Sequence, residues 1–419
     1  MHWQRFSVRF HVSVFLCVLL AASLAAAQES SIYSFYSPYG DALPIGSLVA
    51  DSNGNLYGTT FYGGLYGNGM VYELTPSAGQ WHLTEIHSFN PNGIDGFGPT
   101  SGVIFDSAGN IYGTTEFGGS GSCTNGFGCG TVFELSLADG VWKETILHDF
   151  VGSDGWQIHP GLAMDAAGNL YGMATNGGTY NAGTAFELSP SGSGNWSFSV
   201  IYQFTGLAGG GVPYDALTLD AAGNLYGTAS AGGGESSACH YGCGVVFELS
   251  PSQSGWTETV LHNFIGHSGD GHTPACTLLF DASGNLYGTT TQGGGPSNAG
   301  TVFELSPNAN GTWKETVLHN FNQAPGDGSW PTTSLVFDAS GNLYGLTLGG
   351  GAHGAGIAFK LTPTGSGARS ESMLNTFSRQ GAGGYFPNSG LIAGPDGNLY
   401  GVAASGGRNG QGTVFSIAP

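Results

Sequence analysis

Two histidines stand where a single catalytic group would have to stand. His159 and His272 occupy positions of a repeated pattern at which the other units carry no histidine, and each follows an aspartate by five residues or fewer. An imidazole held near a carboxylate is the raw material of acid–base chemistry. The stretches are Asp154-Gly155-Trp156-Gln157-Ile158-His159-Pro160 and Asp270-Gly271-His272-Thr273-Pro274, the first reading as a lengthened form of Asp-Gly-x-x-Pro. Plain copies occur at Asp95-Gly96-Phe97-Gly98-Pro99 and Asp327-Gly328-Ser329-Trp330-Pro331; Asp41 opens a variant, and Gly384-Tyr385-Phe386-Pro387 lacks the acid. Carboxylates here sit beside flat rings, which is the composition of a sugar-stacking or peptide-binding surface. The expected ligand-binding set is therefore Asp41, Asp95, Phe97, Asp154, Trp156, Asp270, Asp327, Trp330, Tyr385 and Phe386.

Other polar residues recur too regularly to be a single active site. Asp51, Asp106, Asp165, Asp220, Asp281 and Asp338 all precede a Gly-Asn turn, and a seventh is shifted to Asp396. An aspartate there caps its own turn through its side chain. His87, His148, His262 and His319 each stand two residues before a phenylalanine, with Tyr33, Tyr202 and Asn375 in the other units. A hydrogen-bonding group repeated in this way reads as structure between packed sheets. Glu73, Glu134, Glu187, Glu248 and Glu304 share a Phe(Tyr)-Glu-Leu pattern but give way to Lys360 and Ser416. No nucleophile elbow, phosphate loop or His-Glu-x-x-His is present, and no pair of carboxylates stands out as acid and base.

The elements that must position these groups follow from a repeat. Gly-Asn-Leu/Ile-Tyr-Gly occurs seven times, starting at Gly54, Gly109, Gly168, Gly223, Gly284, Gly341 and Gly397. A period of this size along the whole chain is the mark of a repeat architecture. Each unit reads as four strands: in the fifth, residues 277–281, a turn, 285–291, a loose loop, 301–305 with apolar–polar alternation, and 313–321. With 76 glycines among 419 residues a helical bundle is excluded, since glycine costs a helix about 1 kcal/mol per position. Four antiparallel strands per unit make one blade of a β-propeller. The ends are permuted: Ile32-Tyr33-Ser34-Phe35 resembles a fourth strand ahead of the first unit, and Thr413-Val414-Phe415-Ser416-Ile417 is a third strand with no fourth after it. Pairing them closes a ring of seven blades and removes its edges. The second-to-third loops and the connections from one unit to the next then share one face, the variable one.

Residues 1–27 read as a signal peptide: Arg5 and Arg9, an apolar run from Val12 to Leu24, and Ala25-Ala26-Ala27. Residues 28–419 are then one domain, exported, with no membrane span after cleavage. Without Arg5 and Arg9, 6 basic residues face 28 acidic ones, which excludes nucleic acid as a partner. Cys123 with Cys129, and Cys239 with Cys243, lie in corresponding loops and are expected to form two disulfides, each stabilising by about 2 kcal/mol. Cys276 is left as a buried thiol. No metal site and no cofactor are expected, calcium being the one ion left open.

With the unit written as Asp-x-x-Gly-Asn-Leu-Tyr-Gly-Thr-Thr, Gly-Gly, Gly-Thr-Val-Phe-Glu-Leu, the chain resembles the GloVer-repeat (choice-of-anchor tandem repeat) proteins over its whole mature length. The resemblance implies a bacterial exported or cell-surface protein and supplies no catalytic residues. Ser416-Ile417-Ala418-Pro419 carry none of the sorting tails of that family, so release or periplasmic residence is expected over surface anchoring. The leading expectation is a non-catalytic propeller binding a glycan or an envelope or extracellular protein. Alternatives are a polysaccharide- or lactone-acting hydrolase or lyase using His159 or His272 at the channel mouth, and a purely structural spacer.

Overall fold

The computed structural model describes residues 29–419 apart from residues 39–41, 91, 93, 124–125, 193, 235–237, 325, 333, 366–367 and 381–382. The expected signal peptide and Asp41 therefore lie outside the described residues. Among the described residues all regular structure is β, and no helix is long and apolar enough to cross a membrane. Seven antiparallel sheets follow one another in a ring, each running from a two-residue inner strand to a long outer one. Blade 2 shows the pattern: Ile104–Phe105, Ile111–Thr115, Thr131–Ala138 and Val141–Asp149.

The ring closes as its ends require. Ser30–Ser34 pairs antiparallel with Thr413–Ile417, placing Ser30 opposite Ser416 and Ser34 opposite Thr413, so the seventh blade is built from both ends of the chain. The first-to-second turns are capped by the recurrent aspartates. Oδ1 of Asp106 accepts from the amides of Ala108 and Asn110, and Oδ2 from the Asn110 amide group and the Tyr112 hydroxyl. Burial would raise the Asp106 carboxyl, but these four donors outweigh it and hold it below the usual carboxylate range.

The core lies between blades, in seven apolar clusters, one per interface. At each interface an outer-strand Phe meets an aromatic ring of the next blade edge to face: Phe89 with Phe133, Phe150 with Phe186, and onward to Phe377 with Phe415 and Phe35 with Tyr72. Centroids are 5.1–5.3 Å apart throughout. The ring of the third strand lies across the glycine of Leu/Ile-Tyr-Gly on the second. A Cβ on Gly113 would stand 2.5 Å from Cζ of Phe133, which no side chain tolerates. The repeated glycine is thus the space that the repeated ring occupies.

Outer strands carry a bulge in the same place in every blade; in blade 2, Val132 pairs with His148 and Phe133 with Ile146, leaving Leu147 unpaired. A bulge re-aims the side chains that follow it, and His148 turns onto the next blade, where its ring stacks on Phe198 at 3.5 Å.

Phe35 is 1% exposed and is the latch by which the N-terminal strand enters the interface between blades 7 and 1. Phe35→Ala is expected to destabilise the protein by about 3–5 kcal/mol, seen as a lowered midpoint in urea unfolding.

Candidate functional site

The axis of the ring is open. A cavity of about 850 Å³ sits at the loop-rich end of the channel, lined by residues of every blade. The lining comes from the residues just before each inner strand, such as Ser47, Ser101, Thr277 and Ser389, joined in five blades by a residue at the far end of the second strand: Phe61, Glu116, Ser230, Thr291 and Leu348. The chain enters the first stretch through a strained residue. Leu43, Gln157, Val212, Thr273, Trp330 and Phe386 all have φ between 52° and 58°, and the seventh equivalent is Gly98 at 64°. Side chains adopt this left-handed conformation reluctantly. It is held by hydrogen bonds across the interface, as from Val212 N to Ala182 O and from Thr273 N to Cys243 O.

The third unit is not lengthened after all. Ile158 takes the place of the proline: it packs over Gly130 as Pro99 does over Gly69 and Pro213 over Gly183. His159 and Pro160 therefore belong to the stretch that enters the channel, and His159 lies in the cavity wall. His272 does not; its Nε2 lies 3.0 Å from Asn298 Oδ1 and its Nδ1 3.0 Å from Thr273 Oγ1, outside the cavity.

Beside His159 the sevenfold pattern breaks twice more. Glu116 stands where other units have Phe61, Thr175, Ser230, Thr291, Leu348 and Ala404. Its carboxylate is 3.4 Å from His159 Nε2 and accepts from Gln157 Nε2 at 3.2 Å, and Gln157 is itself bonded by Asn176. Tyr214 of the next blade lies against His159 with ring centroids 5.3 Å apart, and it is 47% exposed. Burial pushes the Glu116 carboxyl up to about 7 and the His159 imidazole down to about 4. Among the described residues every ion pair has histidine as its cation, so no Lys or Arg counters this desolvation. A second cavity carboxylate, Asp215, is occupied by Thr277 N and Oγ1 and by Ala216 N, all at 2.8 Å.

Sequence patterning missed Glu116 and Tyr214; the signal was available in the one acid at a position otherwise apolar or hydroxylic. The expected binding set is divided by the structure. Phe97, Trp156, Trp330, Tyr385 and Phe386 do not line the cavity. They cap individual blades on the same face. Phe97 stacks on Phe117 at 5.4 Å, the Trp156 indole donates to Asn181, and Arg379 lies 5.9 Å and 4.8 Å from the rings of Tyr385 and Phe386. Trp330 is 46% exposed. Asp95, Asp154, Asp270 and Asp327 turn between blades, accepting from the amides of Asn90, Val151, Ile265 and Asn322. Both expected disulfides are formed, Cys123–Cys129 and Cys239–Cys243, while Cys276 is a buried free thiol pushed up to about 12 by burial.

A carboxyl raised in the folded state favours folding while it keeps its proton, so this stability is present at and below the ordinary carboxylate range and is lost as pH climbs to about 7. His159, lowered by burial, has the opposite slope, so the comparison with a variant isolates Glu116. Glu116→Gln should gain on the parent by about 1.4 kcal/mol per pH unit between roughly pH 5 and 7, read from urea unfolding at each pH.

Solved structures resemble this fold at low identity. A protein of Bacteroides uniformis described as a 6-phosphogluconolactonase candidate matches at 13% identity and TM-score 0.50, over 79% of this chain and 84% of that one. The extracellular domain of a one-component system from B. thetaiotaomicron matches at 10% identity and TM-score 0.54, over 93% of this chain and 40% of that one. PorZ of Porphyromonas gingivalis, a surface component of the type-IX secretion system, matches at 14% and 0.50, over 92% and 48%. At such identities the likeness concerns the fold alone, and this chain spans under half the length of the last two. No curated protein matches the chain in sequence. The Gloeobacter/Verrucomicrobia repeat matches residues 21–239 and 235–419, and with its seven blades accounted for, the chain belongs to that family, also called GloVer.

Proposed function

We propose that this protein is an exported, non-catalytic binding propeller that takes the end of a glycan in its axial cavity. The observation that carries this reading is the lining: hydroxyls from successive blades around an open space of about 850 Å³, with one exposed aromatic face, Tyr214, set against a Glu116–His159 pair. Sugars are bound by such a mixture, a ring face for their C–H surface and polar groups for their hydroxyls. The volume is that of ordinary small-ligand sites, about 300–1,000 Å³. Trp156, Trp330, Tyr385 and Phe386 on the same face would extend contact to a longer chain or to an envelope protein bearing it. Export is supported by the two disulfides, which persist in oxidising compartments. The strongly acidic balance of the mature chain, with 28 Asp and Glu against 6 Lys and Arg, speaks against anionic partners such as nucleic acid.

A second reading, a hydrolase or lyase, is favoured by Glu116 itself, a carboxyl poised to hold or release a proton near neutral pH beside a neutral imidazole. It ranks below binding because Asp215, the other acid of the cavity, is fully committed to its hydrogen bonds.

Glycan arrays followed by titration of the best binder test both. Tyr214→Ala should weaken binding at least about tenfold, roughly 1.4 kcal/mol, whereas Trp330→Ala should affect only longer oligosaccharides. Absence of any glycan ligand, or a Tyr214→Ala variant that binds as the parent does, would sink the proposal. New reducing ends or unsaturated products, lost in His159→Ala, would establish the second reading.

A further inference from the structure

The outer halves of the blade interfaces hold a second set of chemistry-bearing residues, unconnected with the axial cavity. Between blades 1 and 2, His87, Asp95 and Glu144 converge; between blades 4 and 5, His262, Asp270 and Glu315; between blades 5 and 6, His319, Asp327 and Glu371. In each trio the donor atoms lie within 4.8 Å of one another. The His and Asp come from one unit and its outgoing loop, the Glu from the outer strand of the next blade.

The other interfaces of the same frame act as internal controls. Where one or two members are replaced, the remaining groups touch. With Phe198 in place of the glutamate, His148 Nε2 closes to 3.0 Å on Asp154. With Tyr202 in place of the histidine and Gly209 in place of the aspartate, the Tyr202 hydroxyl donates to Glu258 at 2.7 Å. With Asn375 and Gly383 at those two positions, Asn375 donates to Glu29 at 3.3 Å. In the three complete trios the imidazole nitrogen stands 3.4–3.8 Å from both carboxylates, and a hydrogen bond is made only in the third, between His319 and Asp327 Oδ1 at 3.4 Å. Polar atoms are left over as well. Nε2 of His87, Oδ1 of Asp95 and Oε1 of Glu144 are buried without a hydrogen-bond partner, as are Nε2 of His262, Oδ1 of Asp270 and Oε1 of Glu315 and, in the third trio, Oε1 of Glu371. Asp270, only 9% exposed, turns its orphan Oδ1 toward His262 Nε2 at 3.8 Å. Such atoms are rare in folded proteins because each forfeits its hydration for nothing.

The geometry points to three divalent-metal sites of the zinc class, each strapping one blade to the next. Bonds of about 2.1 Å from one ion to nitrogen and oxygen place tetrahedral ligands about 3.4 Å apart, close to the spacing seen. One imidazole and two carboxylates neutralise a doubly charged ion, and no Lys or Arg among the described residues lies within 4 Å of these carboxylates to do so instead. The imidazole selects zinc over calcium, which takes six to eight oxygens. Each histidine is 19% exposed, enough for an ion to enter and for water to complete four-coordination.

The test uses the untagged mature chain, stripped with chelator and equilibrated with zinc. Three zinc ions per chain are expected by elemental analysis, with a rise in Tm that chelator reverses and a cobalt(II) ligand-field band when cobalt replaces zinc. Glu144→Gln, Glu315→Gln and Glu371→Gln preserve side-chain shape, and each should remove one ion; the triple variant should bind none while keeping the far-UV spectrum of the parent. Less than one zinc per chain, or a zinc content unchanged in the triple variant, would overturn the assignment. So would stabilisation by calcium that the same variants abolish, since that would refute the donor argument.

Discussion

The contact on which this molecule depends is an aromatic ring lying over a glycine. Each blade places its third-strand Phe, or Tyr72 in the first, across the glycine of its second strand, and the outer-strand Phe of the preceding blade meets that ring edge-on. The arrangement converts a two-layer contact into a wedge of fixed angle, and seven wedges close a circle. By comparison the innermost strands are only two residues long, and the loops between second and third strands vary from blade to blade. The energy of the fold accordingly resides between blades, where each apolar cluster draws on two neighbours and none belongs to a single sheet.

Polarity is handled with few cations. Eight Lys and Arg among 419 residues leave the buried acids to be satisfied by amides, hydroxyls and imidazoles. The turn aspartates accomplish this completely. Asp215 does so with Thr277 and Ala216, whereas the interface trios leave imidazole and carboxylate atoms unpaired, and Glu116 marks the point at which the symmetry of the cavity breaks. Incomplete satisfaction inside an otherwise well-satisfied repeat is the physical signature of a site.

The fold was legible because its determinants repeat. Glycine, turn aspartate and ring recur together, and the mismatched ends showed how the circle closes. Disulfide pairing was legible for the same reason, both pairs lying in corresponding loops. The cavity was far less visible. Its walls are serine, threonine and glycine, residues that carry little pattern, and the conspicuous aromatics Phe97, Trp156 and Trp330 proved to cap blades instead. Replacement of a proline by Ile158 hid the true register of His159. Nothing in the sequence pattern singles out Glu144, Glu315 and Glu371, because only the curvature of the ring brings them onto a neighbour's histidine.

The shared seventh blade also governs when this protein can exist. Ser30 and Ser416 are partners across nearly the whole polypeptide, so the circle has no completed form until the last strand has been synthesised. A nascent chain therefore remains open through elongation, with its first strand waiting. That delay makes closure of the circle a late step between segments of very large sequence separation, the slowest kind of contact for a chain to form.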